Sequence, residues 1–252
     1  MREVTIDGTK IHDDGDCWMI AEIGHNHQGK LETAKEMFRV AKECGANAVK
    51  LQKRDNRALY TREGYNKPYE NINSYGATYG EHREALEFGW YEYKELKDYA
   101  EEIGITFFST AFDFSSADFL AKLDMPVYKI ASGDLKNIPL LTHIAKIQKP
   151  MIVSTGGGTM EDVNRAYDNG IAMAVAAYML GARIVEKHFT LNHTWKGTDH
   201  AFSLEPIGFK KMVRDLQRTR VAMGDGVKRT YDSEVNPIIK MGKKIVPARD
   251  LP

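Results

Sequence analysis

The segment "TMEDVNRAYDNGIAMAVAAYMLGARIVEKHFTL", residues 159–191, decides how the fold of this 252-residue chain is interpreted. It contains two helix-like runs with nothing strand-like between them. Elsewhere each short apolar run of strand type is followed by a helix-like run and then by another strand. The alternation therefore fails once, at the Asp168–Asn169 junction.

Six short apolar runs are typical of buried parallel strands. They lie at 18–24, 47–52, 105–110, 127–132, 151–155 and 183–190. The runs between them place apolar residues on one helix face, as Ala34, Met37, Phe38 and Ala41 do after the first strand. A separate segment, "VTIDGTKI" (4–11), alternates around an Asp-Gly pair and predicts a β-hairpin.

This pattern leaves two α/β architectures open, an open doubly wound sheet and a (β/α)8 barrel. No G-x-G-x-x-G follows the first strand, which disfavours a dinucleotide-binding sheet. Polar residues stand at the C-terminal ends of almost every strand, and a barrel gathers such ends into one site. The sequence predicts a TIM-barrel type fold with six of eight strands recognisable, preceded by a hairpin, in a single domain over 1–252.

Composition limits the function classes. The formal net charge is zero and the pI is near 7.1, which argues against a nucleic-acid binder that acts through bulk charge. The two cysteines, Cys17 and Cys44, fit reduced thiols. The N-terminus has no apolar signal region and no run approaches 18 apolar residues, so we expect a cytoplasmic protein with no membrane span.

Residues 53–88 show no helical or strand period and are rich in Tyr, Asn, Gly and charge. A structureless loop of this length inside a compact domain is uncommon and is usually functional. We therefore expect this segment to border the site.

The predicted strand ends carry a set of polar side chains suited to chemistry. They are Glu22, Lys50, Gln52, Ser109, Thr110, Lys129, Ser132, Asp134, Ser154, Thr155, Glu186, Lys187, His188 and Thr190. Lysines with hydroxyls suit a phosphate and a carboxylate, while a carboxylate beside a histidine suits acid–base work or a metal. Together they predict an enzyme that acts on a small anionic substrate.

Each signal has an alternative. Lys50 and Lys129 could be strand-end lysines in water, or one could form a Schiff base as in aldolases. The turn "STGGGT" (154–159) could cradle a phosphate or simply cap a helix through Thr159. A lone His188 is more often hydrogen-bonded than metal-bound.

Five motifs, in order along the chain, resemble the sialic acid synthase family. They are "IAEIGHNHQGKLETAKEMFRVAKECGANAVKLQK", "FFSTAFD", "VYKIASGDLKN", "PMIVSTGG" and "IVEKHFTLNHTWKGTDHAFSLEP". The resemblance covers about residues 17–252. It implies a (β/α)8 barrel and a homodimer that condenses phosphoenolpyruvate with N-acetylmannosamine, or its 6-phosphate, with the help of Mn²⁺ or Mg²⁺.

The resemblance also implies individual roles. The positions that bind phosphoenolpyruvate correspond to Lys50, Thr110, Lys129 and Ser132. Those that contact the amino sugar correspond to Gln52, Asp134 and Asp199, with Asp134 standing where some members carry glutamate. Glu22 matches an acid/base residue beside the reacting carbons, and His188 matches one of two histidine metal ligands.

Two further segments bear on the choice of substrate. "YGEHREALEF" (79–88) and "TWKGTDH" (194–200) look like the animal-type branch, whose sugar carries a 6-phosphate, although bacterial enzymes that use the free sugar could also carry them. A related legionaminate or pseudaminate synthase, or a defective remnant of the family, are the alternative interpretations.

The family pattern explains the failed alternation. Two further strands normally precede "NGIAMAVAAYMLGA", one ending in a Cys-Thr motif and the other in a Ser-x-His motif, and neither motif occurs here. With them go the second metal histidine, a serine and an asparagine for phosphoenolpyruvate, and a tyrosine for the sugar. The family's C-terminal antifreeze-like domain is not recognisable either. Three interpretations of the 168/169 join stay open: omitted residues, a true deletion, or a different closure of the barrel, for example through a dimer.

Overall fold

The computed structural model describes residues 3–134, 137–154, 178–179, 182–225, 227 and 229–235. An antiparallel hairpin, β1 (Glu3–Ile6) and β2 (Thr9–His12), precedes one six-stranded parallel sheet. The sheet strands are β3 (Trp18–Gly24), β4 (Ala48–Lys53), β5 (Thr106–Ala111), β6 (Tyr128–Ile130), β7 (Met151–Val153) and β8 (Ile184–His188). The hairpin and all six strands confirm the sequence prediction, with ends that differ by up to two residues.

The hairpin closes one end of the sheet. Its turn residues Asp7 and Gly8 both adopt positive φ, 49° and 74°, as a tight two-residue turn requires. Ile6 and Ile11 are buried in one apolar cluster with Trp18. The hairpin therefore forms a floor beneath the N-terminal ends of the strands.

Within the described residues, eight helices with defined ends cover the outer face of the sheet and its loops. They are α1 (Leu31–Glu43), α2 (Asn56–Leu59), α3 (Arg62–Asn66), α4 (Tyr79–Glu84), α5 (Trp90–Ile103), α6 (Phe114–Lys122), α7 (Ile138–Ala145) and α8 (Pro206–Met223). The predicted inner face of α1 is buried as expected. None of the described helices combines the length and apolar composition that crossing a bilayer requires.

The expectation of a structureless segment at 53–88 is wrong. It contains α2, α3 and α4, which are N-capped by the side chains of Asp55, Thr61 and Thr78 respectively. Each helix is only one or two turns long, so its stability comes from caps and local contacts. Helices this short are not long enough to show an amphipathic period, which explains why the hydrophobic pattern of residues 53–88 did not predict them.

The order of strands in the sheet is β7-β6-β5-β4-β3-β8. The first and last parallel strands pair directly, with Trp18 opposite Ile184, as they do when a barrel closes. Within the described residues β7 and β8 share no ladder, and the chain between them is where the alternation fails. Thr155, the predicted helix from Thr159 and the Asp168–Asn169 join lie outside the described residues. Of the predicted helix near 171–180, only residues 178–179 are described, and both are helical.

One contact shows that the sheet is curled. Lys129 on β6 and Glu186 on β8 belong to strands four places apart, which in a flat sheet lie about 19 Å apart. The Nζ of Lys129 nevertheless lies 3.4 Å from Oε1 of Glu186. The sheet therefore curls on itself as an open, incomplete barrel of TIM type.

The inward-facing side chains change character along the strands. Near the floor they are apolar, with Trp18 and Ile20 from β3 and Phe108 from β5 in one buried cluster. Further along β3 and β4 the inward positions hold Glu22 and Lys50, both almost completely buried. Because the polar layer lies at the C-terminal ends of the strands, the fold places the site there.

Candidate active site

Strand register aligns the predicted site residues. Glu22 is paired with Lys50 on one side and with His188 on the other. Thr110 is paired with Lys129 on the neighbouring strand. Because paired residues of adjacent strands project to the same face, this register alone brings their side chains into one layer.

The centre of that layer is a cluster of lysines and glutamates. Lys50 forms an ion pair with Glu22, and its Nζ donates a hydrogen bond to Thr110 Oγ1 at 2.6 Å. Glu186 Oε1 lies 3.4 Å from Lys129 Nζ and 3.8 Å from Lys50 Nζ. Only 1% of Lys50 and 7% of Lys129 is exposed, so neither is a strand-end lysine in water.

Electrostatics in this cluster follow from burial and close charges. Burial lowers the pKa of Lys129, and the charge of Lys50 lowers it further against the opposing effect of Glu186. Burial alone would raise the pKa of Glu186, but the two lysines outweigh it and the pKa is lowered. Glu186 is therefore an ionised carboxylate at neutral pH, seated between two lysines.

A second group of polar side chains surrounds Gly24. A Cβ at this position would lie 3.1 Å from Glu22 Oε1, 3.3 Å from Gln52 Nε2 and 3.6 Å from Asp199 Oδ2. Gln52 Nε2 also donates to Glu22 Oε1 at 2.7 Å. Gly24 has a φ of +54°, a backbone conformation that glycine adopts without strain. The absence of a side chain also leaves open the space in front of these three polar groups.

His188, the predicted metal ligand, lies beside Asp199. Its Nδ1 is 4.0 Å from Asp199 Oδ2, and it is a buried ring nitrogen with no hydrogen-bond partner in the described part of the chain. A buried ring nitrogen without a hydrogen-bond partner among the described residues is suited to coordinate a metal ion. No group of three His, Cys, Asp or Glu side chains in the described ranges is arranged to hold a metal ion, so the residues described here do not by themselves make a complete metal site.

Ser132 and Asp134 occupy a short 3₁₀ turn after β6. Ser132 is exposed, and Asp134 Oδ1 accepts a hydrogen bond from Asn137 Nδ2 at 3.3 Å. Among the residues described, the structure brings neither into contact with the other predicted site residues. Their roles stay predictions. The residues that it does bring together are Glu22, Lys50, Gln52, Thr110, Lys129, His188 and Asp199.

The sequence patterns gave no role to a group that we call the arginine cluster, formed by His25, Arg54 and Arg83. His25 Nε2 lies 3.4 Å from Arg54 Nη1, and His25 Nδ1 lies 3.4 Å from Arg83 Nη1. Arg54 Nη2 donates to Gln52 Oε1 at 2.6 Å. Burial, assisted by both arginines, lowers the pKa of His25 well below its usual range, so the imidazole is neutral. Two members of this cluster lie in segments that the sequence analysis singled out, His25 in the first family motif and Arg83 in the segment 79–88, but neither was assigned a role.

Known proteins resemble this chain over nearly its whole length. N-acetylneuraminate-9-phosphate synthase of Homo sapiens is 37% identical over 284 residues, covering 94% of this chain and 79% of that protein. N,N'-diacetyllegionaminic acid synthase of Campylobacter jejuni is 29% identical, covering 92% and 85%. The crystal structure of N-acetylneuraminic acid synthetase from Leptospira borgpetersenii, in complex with citrate, superposes with a TM-score of 0.73 at 26% identity, covering 95% and 96%.

A sequence model of the NeuB family matches this chain in two segments, residues 37–169 and 167–228. The human alignment spans 284 positions, more than the 252 residues of this chain, so the human protein has residues inside the matched span that this chain lacks. The two family segments cover well over half of the sequence, and this chain therefore belongs to the NeuB family.

Proposed function

We propose that this protein condenses phosphoenolpyruvate with N-acetylmannosamine, or its 6-phosphate, to give N-acetylneuraminate, or its 9-phosphate, and inorganic phosphate. Two observations support this: the activity in the name of the human relative, and the arrangement of the polar side chains at the C-terminal ends of the strands. The observation that carries the proposal is that a buried pair of lysines, Lys50 and Lys129, adjoins the polar groups around Gly24. The proposed anion site and the proposed sugar site are therefore adjacent, with Glu22 in contact with both.

The lysine pair binds the phosphate and carboxylate of phosphoenolpyruvate, with the Thr110 hydroxyl as a further hydrogen-bond partner. Within the described residues two lysines already face two carboxylates, so an incoming anion must take the place of one of them. The side chain of Glu186 is 25% exposed and that of Glu22 only 2%. Because Glu186 is the more exposed of the two, it is the carboxylate that the incoming anion displaces from the lysines.

The reaction joins C3 of phosphoenolpyruvate to the aldehyde carbon of the open-chain sugar. Glu22 contacts both Lys50 and Gln52, so it stands at the boundary between the two substrates and is positioned to exchange a proton with the new hydroxyl. Water then adds to C2, the C2–O bond to phosphate breaks, and phosphate leaves. Gln52 and Asp199 orient the sugar by hydrogen bonds to its hydroxyl and amide groups.

We also propose His188 as one ligand of a divalent ion, Mn²⁺ or Mg²⁺. Such an ion, when bound, polarises the sugar aldehyde for attack. The support is the Nδ1 of His188, which lies beside Asp199 and has no hydrogen-bond partner among the residues that the structure describes.

We further propose that two βα units are missing at the 168/169 join. The two NeuB matches meet at 167–169, and the open side of the sheet lies between β7 and β8. Intact mass spectrometry of the protein from its native source tests this. A mass of 28.5 kDa supports a covalent join, whereas two further units at the join would add several kilodaltons.

The function is tested by phosphate release from phosphoenolpyruvate with N-acetylmannosamine, with its 6-phosphate, or with no sugar. We expect release only when a sugar is present, and release without sugar contradicts the proposal. Calorimetric titration with phosphoenolpyruvate runs in parallel. Binding without turnover identifies a catalytically defective member of the family, and failure to bind removes the synthase interpretation altogether.

A further inference from the structure

The loop between the hairpin and β3 is held by side chains from much later in the chain. Three consecutive backbone carbonyls of this loop, at residues 13–15, accept hydrogen bonds from them. The carbonyls of Asp13, Asp14 and Gly15 accept from Arg183 Nε at 2.7 Å, from Arg220 Nη2 at 2.9 Å and from Tyr178 Oη at 3.1 Å, respectively. These hydrogen bonds connect the start of the chain to its second half.

Arg183 makes further contacts within its own segment. Its Nη1 donates to the carbonyls of Tyr178 and Ala182 at 3.1 and 2.9 Å, and its guanidinium lies 4.8 Å from the centre of the Tyr178 ring. The donors of a guanidinium are fixed in one plane. Because these donors contact carbonyls of two segments that are far apart in sequence, Arg183 fixes the position of one segment relative to the other.

The two segments lead into neighbouring strands. Arg183 immediately precedes β8, and the loop 13–15 leads into β3, where Trp18 N–H donates to the Arg183 carbonyl at 2.8 Å. Among the described residues β8 forms a ladder with β3 alone. No second ladder in that part of the chain restrains β8 against displacement along its axis, so the side chain of Arg183 supplies a restraint on this strand.

The position of β8 along its axis matters for the charges of the site. Glu186 on this strand lies 3.4 Å from Lys129 Nζ and 3.8 Å from Lys50 Nζ. Both distances end on the same carboxylate oxygen, so a displacement of β8 changes both at once. Arg183 itself is three residues away, about 10 Å along the strand, and does not reach the site.

We propose that Arg183 is a positioning residue that acts from the N-terminal ends of the strands. It holds β8 at the position where Glu186 lies between Lys50 and Lys129. This inference rests on the proposed function, because it gives Arg183 a part in phosphoenolpyruvate binding although its side chain contacts neither substrate.

The protonation of Lys129 reports where Glu186 lies. Burial lowers the pKa of Lys129, the charge of Glu186 raises it, the charge of Lys50 lowers it and that of Glu22 raises it. Lys50 and Glu22 belong to β4 and β3, so a displacement of β8 moves only Glu186 relative to Lys129. Loss of the Arg183 side chain should therefore lower the pKa of Lys129, and with it the upper pH limit of phosphoenolpyruvate binding.

The test is calorimetric titration with phosphoenolpyruvate between about pH 7 and 10. Affinity should fall as the pH rises through the pKa of Lys129, because the neutral amine binds an anion poorly. Arg183→Met is expected to move this fall to lower pH by at least about 0.5 unit, and Arg183→Lys by less. Glu186→Gln should also move it to lower pH, and adding Arg183→Met to that variant should move it no further.

Arg220→Met is the matched control, because Arg220 donates to the same loop from α8 rather than from the start of β8. It should lower stability in urea titrations but leave the pH profile unchanged. An unchanged profile in both Arg183 variants, an equal shift in Arg220→Met, or additive shifts in the double variant overturns the inference. If Arg183→Met does not fold, Arg183→Lys carries the comparison.

The two levels of the argument fail in different ways. If the wild type binds phosphoenolpyruvate and only the expected shift is missing, the proposed function stands and the role of Arg183 is lost. If the wild type binds no phosphoenolpyruvate at any pH, the proposed function fails and the inference fails with it.

Discussion

Gln52 Nε2 lies 2.7 Å from Glu22 Oε1, and the oxygen of the same amide accepts a hydrogen bond from Arg54 Nη2 at 2.6 Å. The carboxylate can only accept and the guanidinium can only donate, so the orientation of the amide between them is fixed. Gln52 therefore joins the cluster of lysines and glutamates to the arginine cluster, and in the proposed reaction it is the side chain at which the two substrates meet.

Replacing that amide separates the two clusters. Gln52→Met keeps the volume but removes both hydrogen bonds, so we expect sugar affinity to fall about tenfold or more, with phosphoenolpyruvate affinity nearly unchanged. Titration with each ligand measures this. Gln217→Met, at an exposed position on α8, is the control. Equal loss of both affinities would show instead that Gln52 supports the fold of the whole site.

Substitution of Gly24 tests whether a side chain at this position blocks sugar binding, and Gly8 serves as the control for backbone strain. Gly24→Ala and Gly8→Ala both place a side chain at positive φ, which costs about 1–2 kcal/mol of unfolding free energy in each case. The added Cβ at Gly8 meets nothing within 4 Å, whereas at Gly24 it meets the site. We expect similar destabilisation in denaturant titrations, but loss of sugar binding only in Gly24→Ala. Unchanged sugar binding in that variant would mean that the sugar does not approach Gly24.

Lys129 should matter more to binding than to folding. Lys129→Met removes the charge while preserving most of the buried stem, and Glu186 keeps Lys50 as a partner at 3.8 Å. We expect phosphoenolpyruvate affinity to fall at least about tenfold and the protein to remain folded, as judged by circular dichroism and titration. Lys149→Met, which removes a surface pair with Asp124, should leave affinity unchanged. Unfolding of the Lys129 variant would identify the residue as structural.

The same lysine decides the Schiff-base alternative. A lysine of lowered pKa has more of the neutral amine that attacks a carbonyl, and Lys129 meets that condition. Its Nζ, however, is in contact with Glu186, and the proposed reaction uses the lysine as a cation. We expect no mass increase after treatment with pyruvate and borohydride. An adduct on Lys50 or Lys129 would favour the aldolase-type mechanism over the synthase mechanism.

Buried histidines predict acid sensitivity. Burial lowers the pKa of His25 and His27 well below the usual value, and burial with two neighbouring cations lowers the pKa of His82 to about 4. Below about pH 6.5 the unfolded chain binds protons that the folded chain does not. The free energy of unfolding should therefore fall as pH decreases from about 6.5 toward 4.

Urea titrations at pH 7, 6 and 5 measure this dependence. His82→Asn, whose amide oxygen can still accept the hydrogen bond that Tyr75 N–H gives to His82 Nδ1, should reduce the slope by up to about 1.4 kcal/mol per pH unit. A slope identical to that of the wild type would show that His82 is protonated in the folded protein.

The sequence predicted the sheet well, because a strand buried on both faces is a mainly apolar run, as 18–24 is apart from Glu22. It also singled out Lys50 and Lys129, because burying an unpaired charge inside an apolar strand costs free energy. It could not show that Arg83 faces His25, since that contact depends on how the segment 53–88 folds back over the strands. Nor could it separate Glu186 from Lys187, because adjacent strand residues face opposite sides and only the register determines which one lies inside.

The pairing of Trp18 with Ile184 has a consequence for how the molecule assembles. The ladders β3–β4, β4–β5, β5–β6 and β6–β7 join strands that follow one another along the chain, whereas β8 must return from far along it to pair with the first. Loop-closure entropy and contact order both make such a pairing late and slow. Until β8 arrives, the edge of β3 has no partner, and another copy of the chain can pair with it. Early refolding is therefore the period in which aggregation should compete most strongly, and dilution should raise the yield of folded protein.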